Sequence, residues 1–311
     1  MSAEETKKFT KIFWGLALIP FVLVTGLLLL QSEDSLPSVA SLDNPPELQA
    51  SLIIAKKSVK EDTVIGRFWA VNRTSVKYRE ISPYVFDALI STEDEHFYSH
   101  SGVDFKGLVR SFASLGRKGG ASTITQQLAK LIYTLRQRQL AELARANGET
   151  FDLPLGGILG KFRRLNEKAR ENIIAKRLEE RFTKEEIITM YLNQFDFLYN
   201  AVGIENASRV YFNKRPKELS KIEAAVLVGM CKNPDLFNPY KYTIKNYRNQ
   251  AAKRAGIAPE KVTSEQMAAI RAEDSLRALD RRNQVLFQWL KNSKGENEGI
   301  KNKLTQDRKS T

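Results

Sequence analysis

The sequence predicts a mainly α body with a small β element, preceded by one transmembrane helix. Three observations point there. Residues 12–30 (IFWGLALIPFVLVTGLLLL) carry no charge, and as a helix they would be about 28 Å long, close to the thickness of a bilayer's hydrocarbon core. Two short β-like runs follow, residues 51–55 (SLIIA) and 63–71 (TVIGRFWAV), separated by a charged turn. From Ser82 onward apolar residues recur at helical spacing, punctuated by cap residues.

Each element has a local cause. Lys7, Lys8 and Lys11 precede the apolar run, and Glu33, Asp34, Asp43 and Glu47 follow it with no Lys or Arg among them. The positive-inside bias therefore keeps residues 1–11 in the cytoplasm and sends the rest outside. A cleaved signal peptide is the competing reading, but its apolar core is typically only ~7–15 residues. Residues 31–47, with Pro37, Pro45 and Pro46, read as a linker. The two β-like runs suit a hairpin. Ser82 and Pro83 fit an N-cap and an N1 proline.

Asp104 suits the cap of a helix with Phe105, Leu108, Val109, Phe112 and Leu115 on one face. Ser122 or Thr123 starts another helix, through Leu128 and Leu131. Thr183 with Glu186, and Ser220 with Glu223, fit capping boxes opening apolar helices, one through Tyr191 and one to about Met230. A long charged helix falls between Val262 and Lys291, and residues 293–311 hold only Ile300 and Leu304 as aliphatics, a composition expected to be disordered.

Composition narrows the chemistry. Lys and Arg number 49 against 36 Asp and Glu, a formal net charge of +13, which suits an anionic partner. With the body outside the membrane, nucleic acid is not that partner. The single cysteine, Cys231, excludes an internal disulfide framework and a cysteine zinc cage. His96 and His100 stand four apart as in a zincin helix, but Phe97 occupies the place of the zincin glutamate. No metal site is expected.

Three clusters carry potential chemistry. Residues 93–104 (EDEHFYSHSGVD) put carboxylates where one helix ends and another begins; a solvated acidic turn is the plain alternative. Residues 119–130 (GGASTITQQLAK) lead glycines and hydroxyls into a helix start, an arrangement suited to an anion, with Lys130 adding charge. The P-loop spacing G-x-x-x-x-G-K-[ST] is absent, and an ordinary capped helix competes. Lys168 and Glu171, three apart on a helix face, read by default as a surface ion pair.

In order, these clusters resemble the motifs of peptidoglycan glycosyltransferases, glycosyltransferase family 51, found in class A penicillin-binding proteins and monofunctional transglycosylases. Glu93, Asp94, Phe97, His100, Gly102 and Asp104 match E-D-x-x-F-x-x-H-x-G-x-D. Gly120, Ser122, Thr123, Ile124, Thr125, Gln126, Gln127 and Lys130 match G-x-S-T-I-T-Q-Q-x-x-K. R-K-x-x-E is matched by Lys168 and Glu171 only: Glu167 stands where the family has arginine, with Arg163, Arg164 and Arg170 as candidate substitutes. Residues 187–193 (IITMYLN) resemble a fourth motif, and residues 203–214 a fifth, with Ser208 for a second alanine. The resemblance covers about residues 48–292, with residues 135–160 as an insertion. No S-x-x-K or K-T-G follows, which leaves open a standalone transferase or part of a bifunctional protein.

The resemblance implies a lysozyme-like helical fold and polymerisation of lipid II, with inversion at C1, on the outer (periplasmic) face of the cytoplasmic membrane. It implies Glu93 as the base, with Glu171 a second catalytic carboxylate or a residue orienting Lys168. Ser122, Thr123, Gln126, Gln127, Lys130 and Lys168 would bind the substrate diphosphate. Asp94, Phe97, His100, Gly102, Asp104, Gly120, Tyr191 and Asn193 would support the motifs. No tightly bound cofactor is implied, beyond a divalent cation (Mg or Mn) accompanying the diphosphate. Partners would be lipid II, the nascent glycan strand, the membrane and other cell-wall synthesis proteins. A glycan-cleaving muramidase and a non-catalytic cell-wall scaffold are the alternatives.

Overall fold

The computed structural model describes residues 4, 19, 51–58, 61–68, 74–107, 122–135, 163–239 and 244–293. The anchor (Ile19 apart), the linker, the insertion beyond Leu135, Gly120 and the tail beyond Ser293 lie outside the described residues. Among the described residues no helix is long and apolar enough to cross a membrane. The architecture is mainly helical, as expected, and falls into two compact units along the chain.

One unit contains residues 100–183. Helix α2 (Ile124–Ala129) opens on a capping box in which Thr123 Oγ1 accepts from Gln126 N and the Gln126 side chain bonds Thr123 N. A cap of this kind contributes about 1 kcal/mol. Leu131, placed by spacing in the same helix, lies instead in a π-helical segment, Lys130–Leu135. The wider turn brings adjacent residues to the long helix α3 (Arg163–Arg181): Tyr133 accepts from Arg170 and Thr134 donates to Glu171. Helix α2 packs on α3, burying Ile124, Leu128, Ala175 and Leu178. Gly102 lies close against α3: its φ is +92°, and a Cβ there would sit 2.9 Å from both C and O of Ala175.

The other unit contains residues 46–99 and 184–311. Its hairpin pairs β1 (Ser51–Ser58) with β2 (Glu61–Phe68), antiparallel and with irregular register at Ile53/Ile54 and Lys56/Ser58. Both strands reach further toward the connection than the predicted runs 51–55 and 63–71, and residues 69–71 of the second run lie outside the described residues. Helix α1 (Pro83–Glu93) starts where expected, but the Ser82 hydroxyl donates to Leu219 O instead of capping.

Helices α4 (Lys184–Gln194), α5 (Ile204–Phe212), α6 (Lys221–Lys232), α7 (Ile244–Ala255) and α8 (Ser264–Asn292) follow. Ser220 and Glu223 form the expected capping box of α6. Helices α1, α6 and α8 pack mutually around Val85, Leu89, Leu227, Val228, Val285 and Leu286, all buried; each such side chain contributes roughly 1.5–3 kcal/mol. Asn193 ties the chain entering α1 to α4, accepting from Val76 N and donating to Val76 O.

Candidate active site

Glu93 is the last residue of α1, followed by the C-cap Asp94, whose N–H donates to Ile90 O. Its Oε1 accepts from Arg281 Nη2 at 2.9 Å, and the two side chains are 16% and 8% exposed. Arg281 comes from α8, where its Nε also donates to Gly229 O and its guanidinium lies 5.7 Å from the Phe237 ring centroid. The spacing argument missed this arginine, because its partner lies far away in the chain. The only available signal was an arginine facing inward on a long, otherwise charged helix.

Tyr191 and Cys231 lie within reach of the Glu93 charge. Burial pushes the Tyr191 hydroxyl well above the usual tyrosine range, and the Cys231 thiol and the Glu93 charge push it further. Burial raises the Cys231 thiol too, again with the Glu93 charge adding to it. Both groups therefore stay neutral beside the carboxylate. Asp94 is buried one residue on, and its backbone carbonyl accepts from Phe97 N; the buried Phe97 ring carries the Lys184 ammonium 4.6 Å from its centroid. The predicted support residues here, Asp94, Phe97, Tyr191 and Asn193, are all buried.

The second constellation lies in the other unit. Lys168 Nζ donates to Ser122 Oγ at 3.2 Å and to Gln126 Oε1 at 3.4 Å, and stands 3.5 Å from Glu171 Oε2. The expected surface ion pair is half internal: Glu171 is 1% exposed because α3 turns it toward the π-helical segment. Its Oε1 accepts from Thr134 Oγ1 and from Arg164 Nη1, both at 3.1 Å. Burial lowers the Lys168 ammonium below the ordinary lysine value. Glu171 pulls it back up, while Arg164 and Lys130 push it down, so Lys130 contributes to the same field.

Arg164, one of the candidate substitutes for the missing arginine of the third motif, reaches two carboxylates. Its Nη1 reaches Glu167 Oε2 at 3.4 Å as well as Glu171, with the side chain 58% exposed. Burial works against the Arg164 charge, but Glu171 and Glu167 together offset it and raise the pKa. Arg170, the rival candidate, is buried and turned to the Tyr133 hydroxyl at 2.6 Å. The side chain of Arg163 lies outside the described residues.

Thr123 and Gln126 are buried, with their polar atoms bonded inside the unit. Thr123 Oγ1 donates to Gly102 O at 2.6 Å, and Gln126 Nε2 donates to Asn172 Oδ1 at 2.7 Å. Gln127 is half-buried. His100 Nδ1 accepts from Gly102 N, and Asp104 Oδ1 accepts from Gly107 N, as a residue capping a helix start does. Thr134, Asn172 and Arg164 are site residues to which sequence spacing assigned no role or no preference. Among the described residues no three His, Cys, Asp or Glu side chains gather to hold a metal ion.

Comparison with known proteins identifies the family. A family model described as transglycosylase matches residues 61–262. The chain is 35% identical over 206 residues to penicillin-binding protein 2a of Streptococcus pneumoniae, covering 65% of this chain and 24% of that protein. It is 33% identical over 227 residues to penicillin-binding protein 1A of Pseudomonas aeruginosa, covering 70% and 24%. Against penicillin-binding protein 1A of Escherichia coli it is 34% identical over 239 residues, covering 75% and 25%. The chain thus spans about a quarter of the length of these relatives. It belongs to the transglycosylase family and carries the peptidoglycan glycosyltransferase domain of the class A penicillin-binding proteins.

Proposed function

We propose that the chain polymerises lipid II into β-1,4 glycan strands with inversion at C1, releasing undecaprenyl diphosphate. The observation that carries this reading is the Lys168 ammonium held against Ser122, Gln126 and the buried Glu171, with Lys130 and Arg164 in the same field. Such a clamp suits an anionic leaving group; cleaving a neutral glycan has no use for it. Because α2 is only six residues long and its capping box takes up the Thr123 and Gln126 N–H groups, cationic side chains carry the anion recognition, not a helix dipole.

In this reading Glu93 accepts the proton of the acceptor sugar's 4-hydroxyl as its oxygen attacks C1 of the lipid-linked strand. The C1–O4 bond forms on the face opposite the breaking C1–O(phosphate) bond, and the electron pair leaves with the diphosphate. Arg281 aims the Glu93 carboxylate, and the neutral Tyr191 and Cys231 leave that oxygen the negative centre of its surroundings. Lys168, Lys130 and Arg164 offset the charge developing on the diphosphate, while Glu171 holds Lys168 and Arg164. Ser122 and Gln127 contact the substrate; Thr123 and Gln126 position Lys168. A divalent cation would travel with the diphosphate and help offset its charge.

Residues 12–30 would anchor the chain in the cytoplasmic membrane with the glycosyltransferase domain, residues 48–292, on the periplasmic face beside its lipid-linked substrate. The test is incubation of the detergent-solubilised chain with labelled lipid II, resolved on a gel. Long glycan polymer is the expected result. Intact lipid II, bound but unreacted, would favour a scaffold, and shortening of preformed glycan would favour a muramidase; either overturns the reading.

A further inference from the structure

Helix α1 offers two faces. Glu93 closes one; Tyr84, Asp87 and Ser91 follow helical spacing along another, with Tyr84 about half a turn round from Glu93. That second face lines a cavity of about 410 Å³ together with Tyr98, Lys221, Trp289 and Asn292, all within one unit. The volume lies in the range of ligand sites, roughly 300–1,000 Å³. We propose that this cavity binds a β-1,4-linked N-acetylhexosamine segment, at a subsite built from residues other than those given roles in the reaction.

The chemistry of the walls selects the ligand. Tyr98 is 61% exposed and Tyr84 37%, so each presents ring surface to the cavity, whereas Trp289, 3% exposed, backs Tyr84 at 6.0 Å between centroids. Rings held in this way offer flat apolar area at little entropic cost, which suits the C–H face of a pyranose. Tyr98 is fixed on its other side by the Phe97 ring at 5.3 Å, and the Tyr78 and Tyr98 hydroxyls bond one another.

Between the rings stand polar groups matched to equatorial hydroxyls and an acetamido group: the Asp87 carboxylate, the Asn292 amide and the Lys221 ammonium. Lys221 lies 5.4 Å from the Tyr84 ring centroid, and its charge acts on Asp87 against the upward push of burial. The Lys221 charge is opposed by Asp87 and by Glu185, whose charge acts on both Tyr78 and Tyr98, so the cavity holds no net positive field to draw an anionic ligand. The same charges make the cavity costly for a wholly apolar one. A neutral, hydroxyl-rich ring satisfies both halves. The identity of the saccharide rests on the polymerase reading; the preference for a neutral polyhydroxylated ring rests on the cavity.

The experiment is calorimetric titration of the full chain in detergent with chitotetraose, a soluble β-1,4-linked N-acetylglucosamine tetramer. Saturable binding is expected, weakened about tenfold or more by Tyr98→Ala or Tyr84→Ala and unchanged by Glu93→Gln. The Tyr98→Ala chain should still convert lipid II to polymer, and because Tyr98 is mostly exposed its thermal unfolding should match wild type. Absence of binding at millimolar sugar, binding that survives both tyrosine variants, or binding abolished by Glu93→Gln would each overturn the proposal. So would displacement of the sugar by a proline-rich peptide that binds more tightly to the same tyrosines. Failure of the lipid II assay with intact chitotetraose binding would instead count against the polymerase reading alone.

Discussion

Glu93 and Glu171 are carboxylates in two different units of the chain, and their surroundings are opposite in kind. Glu93 ends a helix, beside the neutral Tyr191 and Cys231, with one arginine aiming one of its oxygens. Glu171 lies inside a web of Thr134, Arg164 and Lys168 that engages both of its oxygens. Glu171, bonded on both oxygens by Thr134, Arg164 and Lys168, is placed to anchor cations, whereas Glu93 is aimed by Arg281 from the end of a helix. In the proposed reaction it is environment, not residue type, that divides base from support.

The largest effect that would break this comparison falls on the aiming arginine. Arg281→Met leaves Glu93 without its mostly buried partner, which should cost about 3–5 kcal/mol, read as a lowered midpoint in denaturant unfolding. On the other side, Lys168→Ala should slow polymerisation about a hundredfold to a thousandfold, measured with labelled lipid II, while leaving the fold intact.

The pH dependence sharpens the same point. Burial, as the main cause, lowers the folded pKa of Lys168, so activity requiring its charge falls as pH rises through that lowered value. Lys168→Arg should carry that alkaline limb to higher pH. Between the lowered folded value and the ordinary one of about 10.4, the unfolded chain holds the extra proton. This residue's contribution to stability therefore increases with pH across that window.

A smaller effect tests the packing under the cation web. Gly102→Ala places a Cβ against the Ala175 backbone at positive φ and should cost about 2 kcal/mol, seen in thermal unfolding. The smallest concerns the altered third motif. Arg164→Ala should slow polymerisation roughly five- to tenfold, as suits a half-solvated cation, and Glu167→Arg added to it should restore the rate. A purely structural Arg164 would not be rescued in this way.

What could be read in the sequence was what short range decides. The Thr123–Gln126 and Ser220–Glu223 boxes are satisfied within one helical turn, and their spacing announced them. The hairpin and the helix ending at Glu93 were legible for the same reason. Ser82 shows the limit: its spacing suits a cap, but Leu219 O, far along the chain, takes the hydroxyl. Arg281 is likewise brought to Glu93 only by the packing of α1, α6 and α8. Lys168 and Glu171 were visible as a pair, yet the burial of Glu171 depends on a π-helical turn that no periodicity marks. Arg164 could be named only as a candidate beside Arg163 and Arg170; that Arg170 turns to the Tyr133 hydroxyl depends on the π-helical segment and not on local spacing.

The most direct test is the initial rate of lipid II polymerisation by Glu93→Gln, with lipid II binding measured on the same preparation. The division of roles predicts a loss of about a hundredfold to ten-thousandfold in rate with binding retained. A Glu93→Gln chain that polymerises at the wild-type rate would contradict it.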